Sequence, residues 1–300
     1  MQSPVCSRLS NTLCQLMSAQ HTAVVGAGTM GNGIAHVLAL HGYDVALIDV
    51  DADRLDAATA TIAENLDRQI EKETIAPAAK NAALDRISTA TDTAAGVLEA
   101  ELVVEAVPEE QELKAEVFGT LDRHAPDDAL LASNTSSISI TWIGAQTERP
   151  SQVIGMHFFN PVPVMGLVEV VRGQRTSDAT FATVETVAGA LDKTAVEVED
   201  YPGFVSNRVL MPMINEAIFC VMEGVAEPED IDTVMTLGMN HPMGPLTLAD
   251  FIGLDVCLDI LEVMHEDLGD DKYRPCPLLR RKVTAGELGR KTGQGFFSYE

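Results

Sequence analysis

His157 and Glu169 have the types and the spacing expected of an acid–base pair. His157 ends one apolar run and Glu169 lies inside the next, twelve residues later, and Asn160-Pro161-Val162-Pro163 between them can close a hairpin-like turn. A neutral imidazole accepts a proton from a hydroxyl group, while a carboxylate on its other nitrogen fixes the tautomer and stabilises the imidazolium that forms. A carboxylate in an apolar strand is costly to bury without such a partner. The spacing therefore predicts that the two side chains are paired.

A second chemical signature is a G-x-G-x-x-G pattern at residues 26–31, directly after an apolar run. Gly26 permits a tight turn, Gly28 lets the backbone approach a pyrophosphate, and Gly31 lets a helix pack closely on a strand. The helix N-terminus adds N–H groups and a partial positive charge. We therefore predict a dinucleotide site formed by Gly26, Gly28, Thr29, Met30 and Gly31.

Asp49 ends the next apolar run, eighteen residues after Gly31. This is close to the distance at which a carboxylate binds the adenosine ribose in such sites. Asp51 and Asp53 follow, so a 2′-phosphate would meet several carboxylates and one base, Arg54. The pattern favours NAD over NADP. We also expect Asp51 and Asp53 to cap the following helix.

Apolar runs and helical periodicities alternate through the first two thirds of the chain. Strands are predicted at residues 22–26, 45–49, 102–107, 130–133 and 153–157. Helical patterns such as residues 32–40 and 113–121 separate them. This alternation is typical of a doubly wound, mainly parallel α/β sheet of the Rossmann type.

From about residue 200 the pattern is helical, which predicts a smaller all-α domain. Its helices are expected at residues 205–222, 228–237, 246–268 and 277–285. We assign residues 21–201 to the Rossmann-type domain and 202–300 to the helical domain, connected near residues 199–203. Residues 1–20 contain no acid and one base, and we interpret them as a flexible extension, with Met17 as a candidate functional start.

The chain is strongly acidic, with 45 Asp and Glu against 20 Lys and Arg and a formal net charge of −25. Phosphate backbones and anionic lipids would repel it, so we expect neither a nucleic-acid nor a membrane partner. No apolar run approaches the roughly 18 residues of a membrane span. Such a surface is similar to that of halophilic archaeal enzymes; an ordinary acidic bacterial protein is the alternative.

The five cysteines, at residues 6, 14, 220, 257 and 276, form no C-x-x-C pair. An odd number without paired spacing argues against a secreted disulfide framework and favours a reducing cytoplasm. We predict no metal site.

Several motifs occur in the order found in one family. The chain resembles the 3-hydroxyacyl-CoA dehydrogenases over about residues 21–299, in SNTSS at 133–137, GMHFFNPVP at 155–163, LVEVV at 167–171, PGFVSNR at 202–208, HPMGP at 241–245 and KTGQGF at 291–296. This resemblance implies an NAD-dependent oxidation of an (S)-3-hydroxyacyl-CoA in fatty-acid β-oxidation, or the reverse step. His157 is then the general base, paired with Glu169.

The resemblance also implies roles for other residues. Ser136 contacts the reacting oxygen of the substrate and Asn207 helps to hold it. The remaining cofactor contacts are expected from Glu109, Lys114, Asn134, Asn160 and Lys291. Glu110 is an alternative to Glu109, Asn134 is alternatively a turn or cap residue, and Lys291 is alternatively one of the bases that offset acids of a neighbouring subunit.

In the family a helical pair, here about residues 53–86, helps to hold coenzyme A. Arg68 and Lys72 lie four residues apart and are the candidates for phosphate contact. The alternative is that they are solvated partners of Glu64 or Glu71. The helical domain resembles the dimerisation module of the family, so a homodimer is expected.

Two other functions remain open at this stage. A polyol or sugar-acid dehydrogenase could share the same reactive residues, and a narrow pocket without affinity for coenzyme A would distinguish it. A noncatalytic NAD-binding protein is the second, which an absorbance assay at the nicotinamide band would test.

Overall fold

The computed structural model describes residues 20–299, so the predicted extension lies, except for Gln20, outside the described residues, as does Met17. The chain divides into two compact units between Asp200 and Tyr201. Among the described residues, no helix is long and apolar enough to cross a membrane. The two units are described in turn.

The first unit is built on a sheet in which the described residues form eight strands. These are β1 (His21–Val25), β2 (Asp44–Ile48), β3 (Ile87–Ala90), β4 (Leu102–Glu105), β5 (Leu130–Ser133), β6 (Val153–Phe158), β7 (Leu167–Arg172) and β8 (Thr194–Glu199). Their order is β3-β2-β1-β4-β5-β6-β7-β8, and every neighbouring pair is parallel except β6 with β7. The predicted mainly parallel, doubly wound sheet is confirmed.

The strand order reverses between β1 and β4. In open parallel sheets the crevice at such a reversal, at the carboxyl ends of the strands, is where ligands bind. The glycine pattern follows β1 and Glu109 follows β4, so both border this crevice.

Helices connect the strands and supply the other side of the core. They are α1 (Thr29–Leu40), α2 (Ala52–Glu71), α3 (Pro77–Leu84), α4 (Thr93–Gly96), α5 (Gln111–His124), α6 (Ile140–Gly144) and α7 (Asp178–Ala190). Ile34 and Leu38 of α1 pack in one core cluster with Val24 and Leu47 of the sheet. Asp51 caps α2 by accepting the N–H of Asp53, as predicted for an aspartate at this position.

The second unit is helical in its described part. It contains α8 (Ser206–Met222), α9 (Pro228–Thr233) with a π-helical turn at Val234–Gly238, α10 (Pro245–Ile252), α11 (Leu254–Leu268) and α12 (Pro277–Thr284). The prediction of one helix over residues 246–268 is wrong. Gly253 separates α10 from α11 with a φ of 107°, which L side chains rarely adopt and which ends the helical path.

Buried polar side chains hold this unit together beside its apolar core. The carboxylate of Asp250 accepts the N–H groups of Phe296 and Phe297 and the hydroxyl of Tyr299, which joins the end of the described chain to α10. The Cys257 thiol is fully buried, and burial raises its pKa to about 12. This cysteine is a small core residue rather than a nucleophile.

Candidate active site

The glycine pattern has the backbone geometry that each position requires. Gly26 has a φ of 105°, and a Cβ there would lie 2.6 Å from the carbonyl oxygen of Ala106. A Cβ at Gly31 would lie 1.7 Å from the carbonyl oxygen of Gly26. At Gly28 a Cβ would meet nothing within 4 Å, and no described side chain caps the N-terminus of α1 at this residue. The first turn of α1, with Thr29 and Met30, therefore faces an open space that suits a pyrophosphate.

Asp49 lies at the edge of the same loop. Its Oδ2 accepts the N–H of Ala27 at 2.9 Å, and its Oδ1 accepts the N–H of Asp51 at 3.1 Å. The carboxylate is thus held at the carboxyl end of β2, beside the glycine loop. This is where the ribose of a dinucleotide bound to that loop would need a hydrogen-bond acceptor.

His157 and Glu169 are direct cross-strand partners in the antiparallel pair of β6 and β7. His157 Nδ1 lies 2.8 Å from Glu169 Oε2, and both side chains are buried. The ring of Phe159 lies 4.7 Å from the imidazole, centroid to centroid. The hairpin-like turn expected between them is present. With Nδ1 donating to the carboxylate, Nε2 is the nitrogen whose lone pair accepts a proton.

Glu109, and not Glu110, reaches the loop that contains Ser136. Glu109 Oε1 accepts the N–H groups of Ser136 and Ser137, each at 3.0 Å, and the hydroxyls of Ser137 and Thr135. Glu110 is the exposed residue preceding α5. The Glu109 carboxylate therefore holds the turn that carries Ser136.

Partial burial opposes the charge of Glu109, but Lys114 and the donors of the 135–137 turn outweigh it and hold the pKa of this carboxyl below its ordinary value. Lys114 Nζ lies 3.4 Å from Glu109 Oε2. Glu109 is consequently ionised at neutral pH.

Glu105 is a site residue that the sequence argument missed. Its Oε1 accepts Lys114 Nζ at 2.6 Å and the N–H of Val107 at 2.7 Å, and its Oε2 accepts the hydroxyl of Ser133 at 2.6 Å. The signal was available, because a carboxylate in the apolar run 102–107 needs a buried partner just as Glu169 does. Glu105, Lys114 and Glu109 form a continuous charged network from β4 to the Ser136 loop.

Two family models match the chain. The NAD binding domain of 3-hydroxyacyl-CoA dehydrogenase matches residues 21–201, and the C-terminal domain of the same enzyme matches residues 203–299. The chain belongs to the 3-hydroxyacyl-CoA dehydrogenase family. It is an NAD-dependent oxidoreductase, so the predicted family and cofactor are confirmed.

Relatives along the whole length agree with this assignment. The chain is 55% identical to the probable 3-hydroxybutyryl-CoA dehydrogenase of Bacillus subtilis, over 95% of this chain and 99% of that protein. It is 40% identical to the human mitochondrial hydroxyacyl-coenzyme A dehydrogenase, over 100% of this chain and 98% of that protein. The crystal structure of (S)-3-hydroxybutyryl-CoA dehydrogenase from Ralstonia eutropha matches with a TM-score of 0.91 at 48% identity, covering 94% of this chain and 100% of that chain.

The other cofactor residues expected for a 3-hydroxyacyl-CoA dehydrogenase have distinct local environments. Asn134 Oδ1 accepts the N–H of Phe158 at 2.9 Å, which joins the ends of β5 and β6. Asn160 is exposed in the turn after β6. The amide oxygen of Asn134 therefore binds the backbone of Phe158, the residue that follows His157.

Two further dehydrogenase residues belong to the helical unit. Asn207 is buried in the first turn of α8. Lys291 Nζ lies 2.5 Å from Asp255 Oδ2. Lys291 therefore offsets an acid of its own chain.

The candidate contacts to coenzyme A lie on the surface of the first unit. Arg68 Nη2 lies 3.3 Å from Glu64 Oε2 and Arg68 Nη1 donates to Asn65 Oδ1 at 3.0 Å, which is the ion pair named as the alternative. Lys72 is exposed immediately after the last residue of α2.

Proposed function

We propose that this dehydrogenase oxidises short-chain (S)-3-hydroxyacyl-CoA, such as 3-hydroxybutyryl-CoA, to the 3-oxoacyl-CoA, and that His157 is its general base. The observation that carries the proposal is the 2.8 Å contact between His157 Nδ1 and Glu169 Oε2 on adjacent strands. The names of the bacterial relatives, which are 3-hydroxybutyryl-CoA dehydrogenases, support the short acyl chain.

In this proposal His157 Nε2 accepts the proton of the 3-hydroxyl group, and the carboxylate of Glu169 stabilises the resulting imidazolium. Ser136 and Asn207 donate hydrogen bonds to the oxygen as it gains negative character. Glu109 fixes the backbone on which Ser136 lies. Bound NAD supplies the acceptor for the hydride that leaves C3. In the reverse direction the His157 imidazolium returns the proton.

The test is His157→Gln, with the exposed His124→Gln as the matched control. We expect kcat of His157→Gln to fall about 10²- to 10⁴-fold, because general base catalysis contributes this much, while NAD affinity is unchanged. Glu169→Gln should also be slow and should change the pH dependence of kcat. Turnover near that of the wild type in His157→Gln would exclude His157 as the base.

The acyl chain length is tested by steady-state kinetics on a series of 3-hydroxyacyl-CoA substrates. We expect kcat/KM to be highest for four carbons and to fall with longer chains. A maximum at ten or more carbons would contradict the short-chain assignment. Free 3-hydroxybutyrate should be a poor substrate, which separates this activity from that of a polyol or sugar-acid dehydrogenase.

We infer that Lys72, with Arg68, contacts the phosphates of coenzyme A. The support is the position of both bases, since Arg68 lies in the last turn of α2 and Lys72 directly follows it, in the helical pair that holds coenzyme A in the family. Lys72→Gln should raise KM for the acyl-CoA without changing kcat. An unchanged KM would exclude the contact.

We also propose that the chain forms a homodimer through the helical unit. We further propose that the enzyme works in the cytoplasm at high salt concentration. Exposed apolar side chains support the dimer: Val209 of α8 is 69% exposed and Leu237 is 84% exposed. Sedimentation should give twice the chain mass, and Val209→Glu should shift the equilibrium toward monomer. A monomer at micromolar concentration would contradict the proposal.

A further inference from the structure

Lys193 is a buried cation whose partners are two backbone carbonyls. Its side chain is 8% exposed, and its Nζ donates to the carbonyl oxygens of Val162 and Met165, each at 2.8 Å. No carboxylate among residues 20–299 forms an ion pair with it, and burial lowers the pKa of its ammonium group. Burying a charge without a counterion is costly. The two carbonyl oxygens must therefore be held in place beside the ammonium group, because they offset this cost.

The two carbonyls belong to the turn that joins His157 to Glu169. Within this turn the carbonyl oxygen of Pro161 accepts the N–H groups of Val164 and Met165, at 2.9 and 3.0 Å. The N–H of Thr194 donates to the carbonyl oxygen of Gly166 at 2.8 Å. Lys193, directly before β8, and Thr194, its first residue, thus bind three carbonyl oxygens of the turn.

The same turn rests on the helix that follows the nucleotide loop. The Val162 side chain is 1% exposed, and a Cβ at Gly33 of α1 would lie 2.9 Å from Val162 Cβ and 3.0 Å from its Cγ2. Contact this close is possible because residue 33 has no side chain. Val162 is therefore held between Lys193, through its carbonyl, and Gly33, through its side chain.

We propose that Lys193 is a positioning residue that sets the place of the His157–Glu169 pair relative to the nucleotide loop. It acts by holding Val162 in contact with Gly33. This contact fixes the distance between helix α1 and the turn that joins β6 to β7. A displacement of about 1 Å in a reacting pair costs about 10²-fold in rate. The inference rests on the proposed role of His157 as the base.

The experiment is Lys193→Met, which keeps the length of the side chain and removes its donors. We expect kcat to fall about 10- to 100-fold and the primary deuterium isotope effect on kcat to increase. The affinity for NADH, measured by fluorescence, should stay within about 2-fold of the wild type. Lys193→Arg should recover part of kcat, because it retains donors for the carbonyls. Lys272→Met, at an exposed position of the helical unit, is the matched control and should behave as the wild type.

A second variant approaches the contact from the other side. Gly33→Ala keeps Lys193 but pushes Val162 away, so it should lower kcat and raise the isotope effect in the same way. Gly119→Ala in α5 is its control, because the atom nearest to a Cβ there is 3.7 Å away. This pair keeps the proposal testable if Lys193→Met fails to fold.

A readout without cofactor uses protein labelled with ¹⁵N in histidine. We expect the Nδ1–H resonance of His157 to be sharp and shifted downfield in the wild type and to broaden in Lys193→Met and Gly33→Ala. Unchanged kcat, isotope effect and resonance in both variants, beside an inactive His157→Gln, would overturn the positioning role alone. Wild-type turnover in His157→Gln would instead refute the proposed base, and the inference would fall with it.

Discussion

Lys114 Nζ lies 2.6 Å from Glu105 Oε1, and the two side chains are 1% and 0% exposed. The pair joins the end of β4 to α5, and Ser133 at the end of β5 binds the second oxygen of Glu105. The ends of two neighbouring strands are therefore tied to one buried ion pair. The pair supports the Ser136 loop through Glu109. We therefore expect the loss of the pair to reduce the stability of the fold more than it reduces the rate of the reaction.

Lys114→Met leaves the Glu105 carboxylate buried without its cation. We expect the free energy of unfolding to fall by about 3 to 5 kcal/mol, measured by urea denaturation, because an uncompensated buried charge is costly. The double variant Glu105→Gln/Lys114→Met should recover a large part of this loss. Arg68→Met, which breaks the exposed pair with Glu64, is the control and should cost at most about 1 kcal/mol. Equal losses in the single and the double variant would show that the two charges are not coupled.

Asp49 should determine the choice between NAD and NADP. Asp49→Asn removes the repulsion of a 2′-phosphate, so the ratio of kcat/KM for NAD over NADP should fall at least about tenfold, which corresponds to about 1.4 kcal/mol. The exposed Asp128→Asn, just before the amino end of β5, is the control and should change the ratio little. A wild-type enzyme that uses both cofactors equally well would contradict the role of Asp49.

His36 of α1 should make the fold sensitive to acid. Its side chain is fully buried, and burial lowers its pKa from 6.5 to about 4. As the pH falls below 6.5, the unfolded chain binds a proton that the folded chain does not. The contribution of His36 to the free energy of unfolding is therefore fully present above pH 6.5 and is lost progressively as the pH falls to about 4. The loss over this range is about 3 kcal/mol.

This prediction is measured by urea denaturation between pH 7 and pH 4, with His36→Leu as the comparison. The wild type should lose stability relative to His36→Leu across this range. Parallel pH profiles of the two proteins would show that His36 does not titrate differently in the folded state.

The net charge of −25 predicts that salt stabilises the protein. Self-repulsion destabilises the compact state, and the Debye length shortens from about 10 Å at 0.1 M salt to about 3 Å at 1 M. We expect Tm and activity to rise from 0.1 M to 2 M KCl. A Tm that stays flat or falls would exclude the halophilic interpretation and leave the dehydrogenase assignment intact. Sucrose is the control, since it stabilises by exclusion without screening charge.

The sequence predicted the parts of the sheet that are buried. Residues 130–133 are found as β5, and the other predicted strands differ from the observed ones by one or two residues at their ends. The edge strand β3 and the terminal strand β8 were not predicted, because they are largely exposed and lack a continuous apolar run. A strand of this kind is defined by its neighbour in the sheet and has little signal of its own.

The candidate site was predicted in part for similar reasons. The pairing of His157 with Glu169 followed from two apolar strands and a turn of suitable length. The need of Glu105 for a buried partner could be predicted, but the identity of that partner, and the four hydrogen bonds that Glu109 accepts, depend on which residues of β4 and β5 end side by side. The hydrophobic periodicity of one strand contains no information about the residues at the end of the neighbouring strand. The break between α10 and α11 depends on the backbone angle of Gly253, which periodicity does not report either.

The cross-strand register of His157 with Glu169 also limits how this enzyme can be altered by insertion or deletion. Side chains alternate between the two faces of a strand, so a shift of β7 by one residue would turn Glu169 to the opposite face from His157. The turn between them is held at several carbonyls and cannot absorb an added residue without disturbing them. Loop exchange between homologues should therefore succeed here when the length of the turn and Val162 are kept, even if its other residues change.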